Sequence, residues 1–270
     1  MRLVEAIGIG GLPEVEEGMP LGELIAARAE IEPGDVIVIA QKVVSKAEGR
    51  LRRLSSVIPG AEARKLAAVL GKEPALVELV LEESSEVLRA EGGVLIVETH
   101  HGFVCANAGI DSSNVPDDDT ACLLPLDPDA SARRIREEIV ASVAGQESGV
   151  GLGGRGVSGE SHPRLLLNLG VVISDSFGRA WRLGQSEVAI GCAGLLPLDD
   201  WRGRADAHGR ELLATEIAVA DEAAAAADLV RGKDSNVPAV LLRGLDRFVI
   251  AEDGPGAQAL RRPRSDDLFR

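Results

Sequence analysis

The sequence is poor in aromatic residues. Only 2% of its 270 residues are aromatic, and none is tyrosine. Proteins that bind single-stranded nucleic acid stack the bases on aromatic side chains, so this scarcity argues against such a function. Because 45% of the residues are nevertheless hydrophobic, the chain can bury a substantial core, which must be built from aliphatic side chains.

Positive charge is also in short supply. The 29 Lys and Arg residues are outnumbered by 43 Asp and Glu residues, which gives a formal net charge of −14. A chain this acidic is a poor general binder of nucleic acid or anionic membranes. An anionic ligand therefore needs a local group of cations. One of the candidates, Lys46, also has a simpler interpretation as a solvated partner of Glu48. The candidate cations are Lys42, Lys46, Arg50, Arg52 and Arg53 in one segment and Arg179 and Arg182 in another.

Cysteines and long apolar runs are scarce as well. Cys105, Cys122 and Cys192 are scattered and form no C-x-x-C pair, so neither a disulfide framework nor a zinc knuckle is indicated. No uninterrupted apolar run approaches the roughly 20 residues that span a bilayer. The first five residues already include an acid, unlike a signal peptide. We therefore expect a soluble cytoplasmic protein that has no nucleic-acid or membrane partner.

Apolar patterning predicts both strands and helices. Continuous β-branched runs at residues 36–40 and 94–97 are typical of strands that are covered on both faces. Because no regular strand-helix-strand rhythm is present, the fold class is α+β or mixed α/β. Helical spacing predicts helices over residues 20–30, 61–70, 74–81, 131–143 with Ser131 as the N-cap, and 211–230.

Two regions depart from this patterning. Seven glycines crowd residues 145–163, where Gly149 and Gly154 have the spacing of a phosphate-binding P-loop. Arg155 and Gly156 replace the Lys and the hydroxyl residue of that motif. This favours a mobile surface loop, with a functional lid as the alternative. Residues 248–270 form a polar C-terminal tail, and the part from Gly254 to Arg270 is expected to be loose.

A carboxylate and a hydroxyl group follow the apolar run at residues 165–173. Asp175 and Ser176 are expected where this strand ends, and oxygen ligands of this kind bind hard cations such as Mg²⁺ and Mn²⁺. Arg179 and Arg182 follow closely and can bind phosphate or carboxylate. Two simpler interpretations stay open. Asp175 can cap its own turn, and the arginines can form salt bridges on an acidic surface.

A second apolar segment ends in a similar way. Residues 100–110 lead through a glycine turn to Asp111, and Asn114 follows three residues later. Two strand ends that each deliver an Asp beside hydroxyl or amide groups can share one site for a metal ion and phosphate. His101 is a candidate general base because histidine titrates near neutrality, and a structural or phosphate-contacting role is the alternative.

Several motifs that occur in one order carry a resemblance to a known family. They are GGLPE at residues 10–14, VVSKAEGR at 43–50, CANAGIDSSN at 105–114, SDSFGR at 174–179, DWRGR at 200–204, GREL at 209–212 and VPAVLLRG at 237–244. Together they resemble the coenzyme F420-0:L-glutamate ligases, the gamma-glutamyl ligases of the deazaflavin coenzyme. The resemblance covers roughly residues 3–247. It predicts that residues 1–247 are one catalytic domain, followed by the polar tail.

The resemblance implies a GTP-dependent ligase that needs a divalent metal, Mg²⁺ or Mn²⁺. It also implies homodimers and a family-specific α+β fold with two entwined parts. In the last nucleotide segment the family can present an acidic ligand, whereas here Lys233 precedes Asp234. The implied metal ligands are Asp111, Asp175 and Ser176. The implied nucleotide contacts are Gly11, Leu12, Pro13, Glu14, Lys46, Asn114, Gly232, Lys233 and Asp234.

The chemistry of amide formation agrees with these residues. A carboxylate must be activated before an amine attacks it, and nucleotide hydrolysis achieves this through an acyl phosphate. Phosphoryl transfer is catalysed mainly by positioning and charge neutralisation, which Asp111, Asp175 and Lys46 are expected to supply. Arg179 and Arg182 are expected to bind the substrate.

The expected product is coenzyme F420-0 extended by L-glutamate through an amide bond, and later through gamma-glutamyl bonds. Two other functions use the same residues. One is a metal-dependent nucleotide phosphohydrolase, and the other is a non-catalytic GTP-binding module.

Overall fold

The structure, a computed structural model, describes residues 3–113, 117–149, 167–232 and 234–269. Its helices are α1 (Leu21–Ala26), α2 (Gln41–Ala47), α3 (Ala61–Leu70), α4 (Pro74–Glu82), α5 (Pro128–Gly149) and α6 (Val219–Asp228). Its strands are β1 (Glu5–Ile9), β2 (Val36–Ala40), β3 (Leu51–Arg53), β4 (Ser84–Glu91), β5 (Val94–Thr99), β6 (Val104–Ala106), β7 (Thr120–Cys122), β8 (Gly170–Arg179), β9 (Arg182–Ala193), β10 (Asp199–Asp200), β11 (Glu216–Ile217) and β12 (Ala239–Arg243).

A five-stranded sheet in the order β1-β12-β2-β8-β9 forms the main layer. β2 and β8 are parallel, and the other neighbours are antiparallel. Side chains alternate across β2, so Ile37 and Ile39 pack with α1 and α5 on one face. Val36 and Val38 pack with α6 on the other face. Coverage on both faces explains why the strand is continuously apolar, as the sequence predicts.

The chain leaves the main sheet after α2 and builds a third apolar cluster before it returns at α5. This cluster packs α3 and α4 against the three-stranded sheet β4-β5-β6. β3 and β7 form a separate antiparallel pair. Helices thus pack against separate sheets around distinct cores, and the fold class is α+β, as predicted.

Three predicted helices have different bounds. The helix predicted over residues 20–30 spans only Leu21–Ala26. The helix predicted over residues 211–230 begins only at Val219, because Thr215 and Glu216 pair with the segment around β10. The helix predicted from Ser131 begins at Pro128, and Asp127 accepts a hydrogen bond from the backbone N–H of Ala130. Ser131 is therefore not its N-cap.

The same helix, α5, continues through Gly145 to Gly149, so only the remainder of the glycine-rich stretch lies outside it, and residues 150–163 fall outside the described residues. In the part of the chain described here, no helix has the length and apolar character needed to cross a membrane.

The C-terminal tail packs onto the body of the protein, and the expectation that it is loose is wrong. Ala257 is buried, and its backbone N–H donates to the Asp129 carboxylate at 2.7 Å. Arg264 forms ion pairs with Glu86 and Glu98 on the small sheet. The polar tail is held in place because charged side chains of three elements, α5, β4 and β5, bind groups of the tail.

Candidate active site

A cavity of about 1090 Å³ lies beyond the end of β2. Its walls come from the loop after β1, from α2, the segment before β7, the β8–β9 hairpin and the turn after α6. Segments from both ends of the chain therefore meet at one cavity. The predicted site residues that line it are Leu12, Pro13, Glu14, Lys46, Asp111, Asp175, Ser176 and Gly232.

Asp175 and Ser176 lie within β8 and not at its end. β8 pairs with β2 only as far as Ser174, which lies opposite Ala40. It then continues to Arg179 as one arm of a hairpin with β9. Asp175 and Ser176 therefore lie where β2 no longer covers the edge of β8. The predicted strand end is wrong for β8, because the strand end that opens the site belongs to β2.

Asp111 approaches from the opposite wall, after a short 3₁₀ turn at Asn107–Gly109. Its carboxylate accepts hydrogen bonds from Lys42 Nζ and from the backbone N–H of Ser113, both at 2.7 Å. Burial raises the pKa of the Asp111 carboxyl, but the hydrogen bonds from Lys42 and Ser113 outweigh burial and hold the pKa below its ordinary value. Asp111 is therefore ionised at neutral pH.

Asp175 has the opposite electrostatic character. Burial, assisted by the nearby charges of Glu187 and Asp111, raises the pKa of its carboxyl from 3.8 to about 7. The effect of Asp111 on Asp175 shows that the two predicted ligands are brought close enough to interact. A site with this excess of carboxylate is suited to a bound cation.

Two lysines on one face of α2 supply positive charge to the cavity. Lys42 and Lys46 are four residues apart in α2, a spacing that places both on the same side of a helix. Both line the cavity. The sequence marks Lys42 as a local cation but not as a site residue, and its i, i+4 spacing from Lys46 after a buried strand is the signal that indicates it.

Lys46 pairs with Glu14 and not with Glu48. Its Nζ lies 2.5 Å from Glu14 Oε1, in a pair whose glutamate side chain is 76% exposed. Glu48 is bound instead by Arg134 at 2.7 Å and by the hydroxyl of Ser131. The interpretation of Lys46 as a solvated partner of Glu48 is therefore wrong.

Other candidate cations are engaged away from the cavity. Arg50 donates to Glu83 at 2.7 Å, and Arg53 pairs with Asp119 at 3.3 Å. Arg179 turns back onto its own hairpin, where it donates to the carbonyl oxygen atoms of Leu183 and Gly184. Neither Arg179 nor Arg182 lines the large cavity.

The remaining predicted nucleotide contacts either do not line the cavity or lie outside the described residues. Gly11 precedes the lining residue Leu12 but does not itself line the cavity. Asp234 is exposed and also lies outside the lining. Asn114 and Lys233 lie outside the described residues.

His101 packs behind the cavity wall. Its ring stacks on Phe103 with centroids 5.7 Å apart, and Phe103 meets the edge of the cavity residue Phe177. The His101 Nε2 atom lies 2.9 Å from the Pro125 carbonyl oxygen. This geometry favours the structural role over the general base.

Strained backbone borders the cavity beside Asp111. Asn107 and Ala108 have φ angles of 52° and 55°, which are uncommon for residues other than glycine. Asn107 lines the cavity, and its buried Oδ1 atom has no hydrogen-bond partner among the described residues. Strain of this kind concentrates at functional sites, which agrees with the location of the cavity.

Comparison with known proteins identifies the family. Residues 10–150 and 161–244 match the family model described as F420-0:Gamma-glutamyl ligase. The chain belongs to this family. It is 43% identical to the coenzyme F420:L-glutamate ligase of Methanothermobacter thermautotrophicus over 99% of both chains. It is 41% identical to the enzyme of the same name from Archaeoglobus fulgidus, over 99% of this chain and 96% of the relative.

The match to the F420-0:gamma-glutamyl ligase family skips residues 151–160. These residues fall within the glycine-rich stretch. The cavity-lining motifs at residues 12–14, 105–111 and 174–178 all fall inside the matched ranges. Residues 151–160 are therefore the part of the glycine-rich stretch that the family match leaves out.

Three charged cavity residues of this family member, Glu187, Asp228 and Arg231, are not among the predicted site residues. Glu187 lies on β9 directly across from Ser176. Arg231 follows α6, next to the predicted nucleotide contact Gly232. The glycines at 178 and 184 indicate a hairpin, but its register, which places Glu187 beside Ser176, is not readable from the spacing.

Proposed function

We propose that this protein is a ligase of coenzyme F420 biosynthesis that joins L-glutamate to coenzyme F420-0 through an amide bond and consumes GTP. Later rounds add gamma-glutamyl bonds. Membership of the family and the names of the relatives support this proposal. The structural observation that carries it is that Asp111, Asp175 and Ser176 line the same cavity as the lysines of α2.

The cavity residues can perform the proposed steps. Lys42 and Lys46 supply the local cations that a nucleotide polyanion needs on a chain of net charge −14. The γ-phosphoryl group of GTP passes to the F420-0 carboxylate, which forms an acyl phosphate and leaves GDP. The amine of L-glutamate then attacks the acyl carbon and releases phosphate. Positioning and charge neutralisation dominate catalysis of such transfers, and the lining residues are suited to both.

A divalent cation, Mg²⁺ or Mn²⁺, would neutralise the phosphate oxygen atoms. Asp111, Asp175 and Ser176 would hold it, since carboxylates and hydroxyls are the ligands that these cations prefer. Among the described residues, no three His, Cys, Asp or Glu side chains are grouped closely enough to hold a metal ion. The hydroxyl of Ser176 and oxygen atoms of the nucleotide would therefore have to complete the ligand set.

Substrate binding extends beyond the cavity in this proposal. Arg179 and Arg182 lie at the tip of the β8–β9 hairpin, where they would meet the carboxylate or phosphodiester of F420-0. We also propose that the protein is a cytoplasmic homodimer, as the family resemblance implies.

The activity is tested by mass spectrometry. F420-0 incubated with the protein, GTP, L-glutamate and Mg²⁺ or Mn²⁺ should gain the mass of one or more glutamyl groups, with formation of GDP and phosphate. Release of phosphate without glutamate and without a mass gain would favour the phosphohydrolase. GTP binding without turnover would favour the non-catalytic module. Either result would contradict the proposed ligase activity.

The glycine-rich stretch gives a second prediction. Deleting residues 149–159 should leave GTP affinity within a few-fold of the parent, because the stretch lacks the P-loop lysine and hydroxyl residue and largely coincides with the residues that the family match skips. Calorimetric titration of GTP with Mg²⁺ into both proteins measures the effect. Loss of nucleotide binding in a variant with unchanged circular dichroism would show that the loop holds phosphate.

A further inference from the structure

The tip of the β8–β9 hairpin exposes large apolar side chains. Trp181 lies in the turn between the two strands and is 76% exposed, and Leu183 at the start of β9 is 96% exposed. The chain has only two Trp and four Phe residues. Exposing one of these few aromatic side chains forgoes the stabilisation that its burial would give, so its position calls for an explanation.

A second aromatic ring reaches this tip from the C-terminal tail. The ring centroid of Phe269 lies 4.8 Å from that of Trp181, and the two ring planes are inclined by 53°. Phe269 and its neighbour Leu268 remain 69% and 82% exposed. We call Trp181 and Phe269, with Leu183 and Leu268 that flank them in the sequence, the aromatic tip. Exposed apolar patches of this kind mark binding surfaces.

The aromatic tip continues the wall of the large cavity. Gly178 and Gln185 line the cavity and are cross-strand neighbours in the hairpin. Trp181 lies three residues beyond Gly178, which at about 3.3 Å per residue is roughly 10 Å along the strand. A ligand that enters the cavity can therefore reach the aromatic tip with its other end.

The tail that carries Phe269 is anchored on the small sheet. Arg264 forms ion pairs with Glu86 of β4 and Glu98 of β5. The same sheet contributes Cys105 of β6 to the cavity wall. Phe269 therefore approaches the hairpin from the small sheet, which also borders the cavity.

Positive charge lies between the cavity and the aromatic tip. Arg179 and Arg182 are cross-strand neighbours that close the hairpin directly before Trp181. Along the hairpin, the proposed metal ligands are thus followed by the two arginines and then by the exposed rings. A matching substrate carries a carboxylate at one end, a phosphodiester in the middle and a planar ring at the other end. F420-0 has these groups in this order.

We propose that the aromatic tip is the subsite that binds the planar deazaflavin ring of F420-0. Trp181 stacks on this ring and Phe269 supports Trp181, while the reacting carboxylate lies in the cavity. The inference deepens the proposed function, because it rests on F420-0 being the substrate.

The size of the patch favours a small ligand over a second copy of the chain. Aromatic side chains bury roughly 150–250 Å² each. Two of them fall well short of the roughly 800 Å² that each partner buries in a stable interface between proteins. The two arginines beside them also suit an anionic substrate.

The test is the affinity of the full-length protein for F420-0, measured by titration of the deazaflavin fluorescence. GDP and Mg²⁺ are present and glutamate is omitted, so that binding is measured without turnover. Trp181→Ala should raise the dissociation constant of F420-0 by about 5- to 150-fold, the usual effect of removing one stacking side chain. Trp181→Phe keeps a stacking face and should stay close to the parent.

The matched control is Ile58→Ala. Ile58 is an apolar residue that is 87% exposed, and it lies before α3, outside both the hairpin and the cavity lining. Parental F420-0 affinity in Trp181→Ala would overturn the proposal. So would a loss in Trp181→Phe or Ile58→Ala as large as that in Trp181→Ala.

Nucleotide binding and the association state distinguish this role from two others. GTP affinity and the sedimentation coefficient should both be parental in Trp181→Ala. An equal loss of GTP affinity would show general damage to the site. A lower sedimentation coefficient would assign the aromatic tip to a contact between copies of the chain, and either result would overturn the proposal.

Folding and activity are kept separate from this result. Circular dichroism confirms that each variant is folded. If Trp181→Ala does not fold, Phe269→Ala takes its place and should also weaken F420-0 binding. A protein that binds F420-0 through Trp181 but adds no glutamate would contradict the ligase and leave the subsite standing. A protein that adds glutamate but binds F420-0 equally well in Trp181→Ala would contradict the subsite alone.

Discussion

We expect the Asp175→Asn variant to lose glutamyl transfer by at least about 100-fold, which is the typical cost of removing a preorganised electrostatic group from an active site. Asp175 lies where the cavity meets the uncovered edge of β8, close enough to Asp111 for their charges to interact. An amide at this position cannot supply the negative charge that a divalent cation requires. The rate of mass gain by F420-0 measures the loss.

The same substitution should stabilise the metal-free protein. Because the pKa of Asp175 is raised to about 7 in the folded state, the folded protein binds this proton more tightly than the unfolded chain. The contribution of Asp175 to stability therefore falls as the pH rises from about 4 to about 7. Removing the charge should raise the free energy of unfolding at pH 8 by as much as about 4 kcal/mol, and the difference should vanish near pH 4.

Asp111→Asn provides an internal contrast. It should also abolish transfer, but the pKa of Asp111 is lowered in the folded state, so its charge contributes stability above the unfolded pKa that is lost as the pH falls. The metal-free variant should therefore be less stable than the parent at neutral pH. Thermal denaturation in a chelator at pH 8 and pH 4 distinguishes the two substitutions.

Asp221→Asn is the control for both. Asp221 also has a raised pKa because it is buried, but it lies outside the large cavity, where it accepts a hydrogen bond from the backbone N–H of Ala189 at 2.9 Å. An amide oxygen atom can keep this bond, so turnover should persist. Parental rates with unchanged metal dependence in Asp175→Asn or Asp111→Asn would place the catalytic site elsewhere.

We expect Lys46→Ala to weaken GTP binding about ten- to a hundredfold. A charge-assisted contact contributes roughly 1.5–3 kcal/mol, which corresponds to that range of affinity. Lys46 is only 11% exposed and lines the cavity, whereas its partner Glu14 is 76% exposed. A bound phosphate can therefore replace an exposed carboxylate beside a lysine that is already positioned.

Stability without ligand should barely change in this variant, because a pair with one exposed partner contributes little. Calorimetric titration of GTP with Mg²⁺ measures the affinity, and Lys65→Ala on the exposed side of α3 is the matched control. Equal dissociation constants of GTP for Lys46→Ala and the parent would show that Lys46 does not contribute to nucleotide binding.

The local pattern of apolar residues predicted several of the buried strands and helices. The apolar run at β2 and the helical spacing at α3 and α4 are properties of neighbouring residues, and the structure confirms all three. The helix predicted from residue 211 is wrong, because Leu212 and Thr215 form backbone hydrogen bonds with Arg204 and Trp201. These tertiary contacts outweigh the helical propensity of the segment.

The sequence by itself determined the kinds of residue that the site contains and the family to which the chain belongs. Carboxylates, hydroxyls and lysines in ordered motifs are visible without a structure, and continuous apolar runs indicate which strands are buried. Only the tertiary structure decided which of these residues meet. In the structure Lys42 pairs with Asp111 and Lys46 pairs with Glu14. The ion pair of Glu187 and Arg231 lies beside Ser176. These pairings depend on strand register and on contacts between distant segments, which local spacing does not encode.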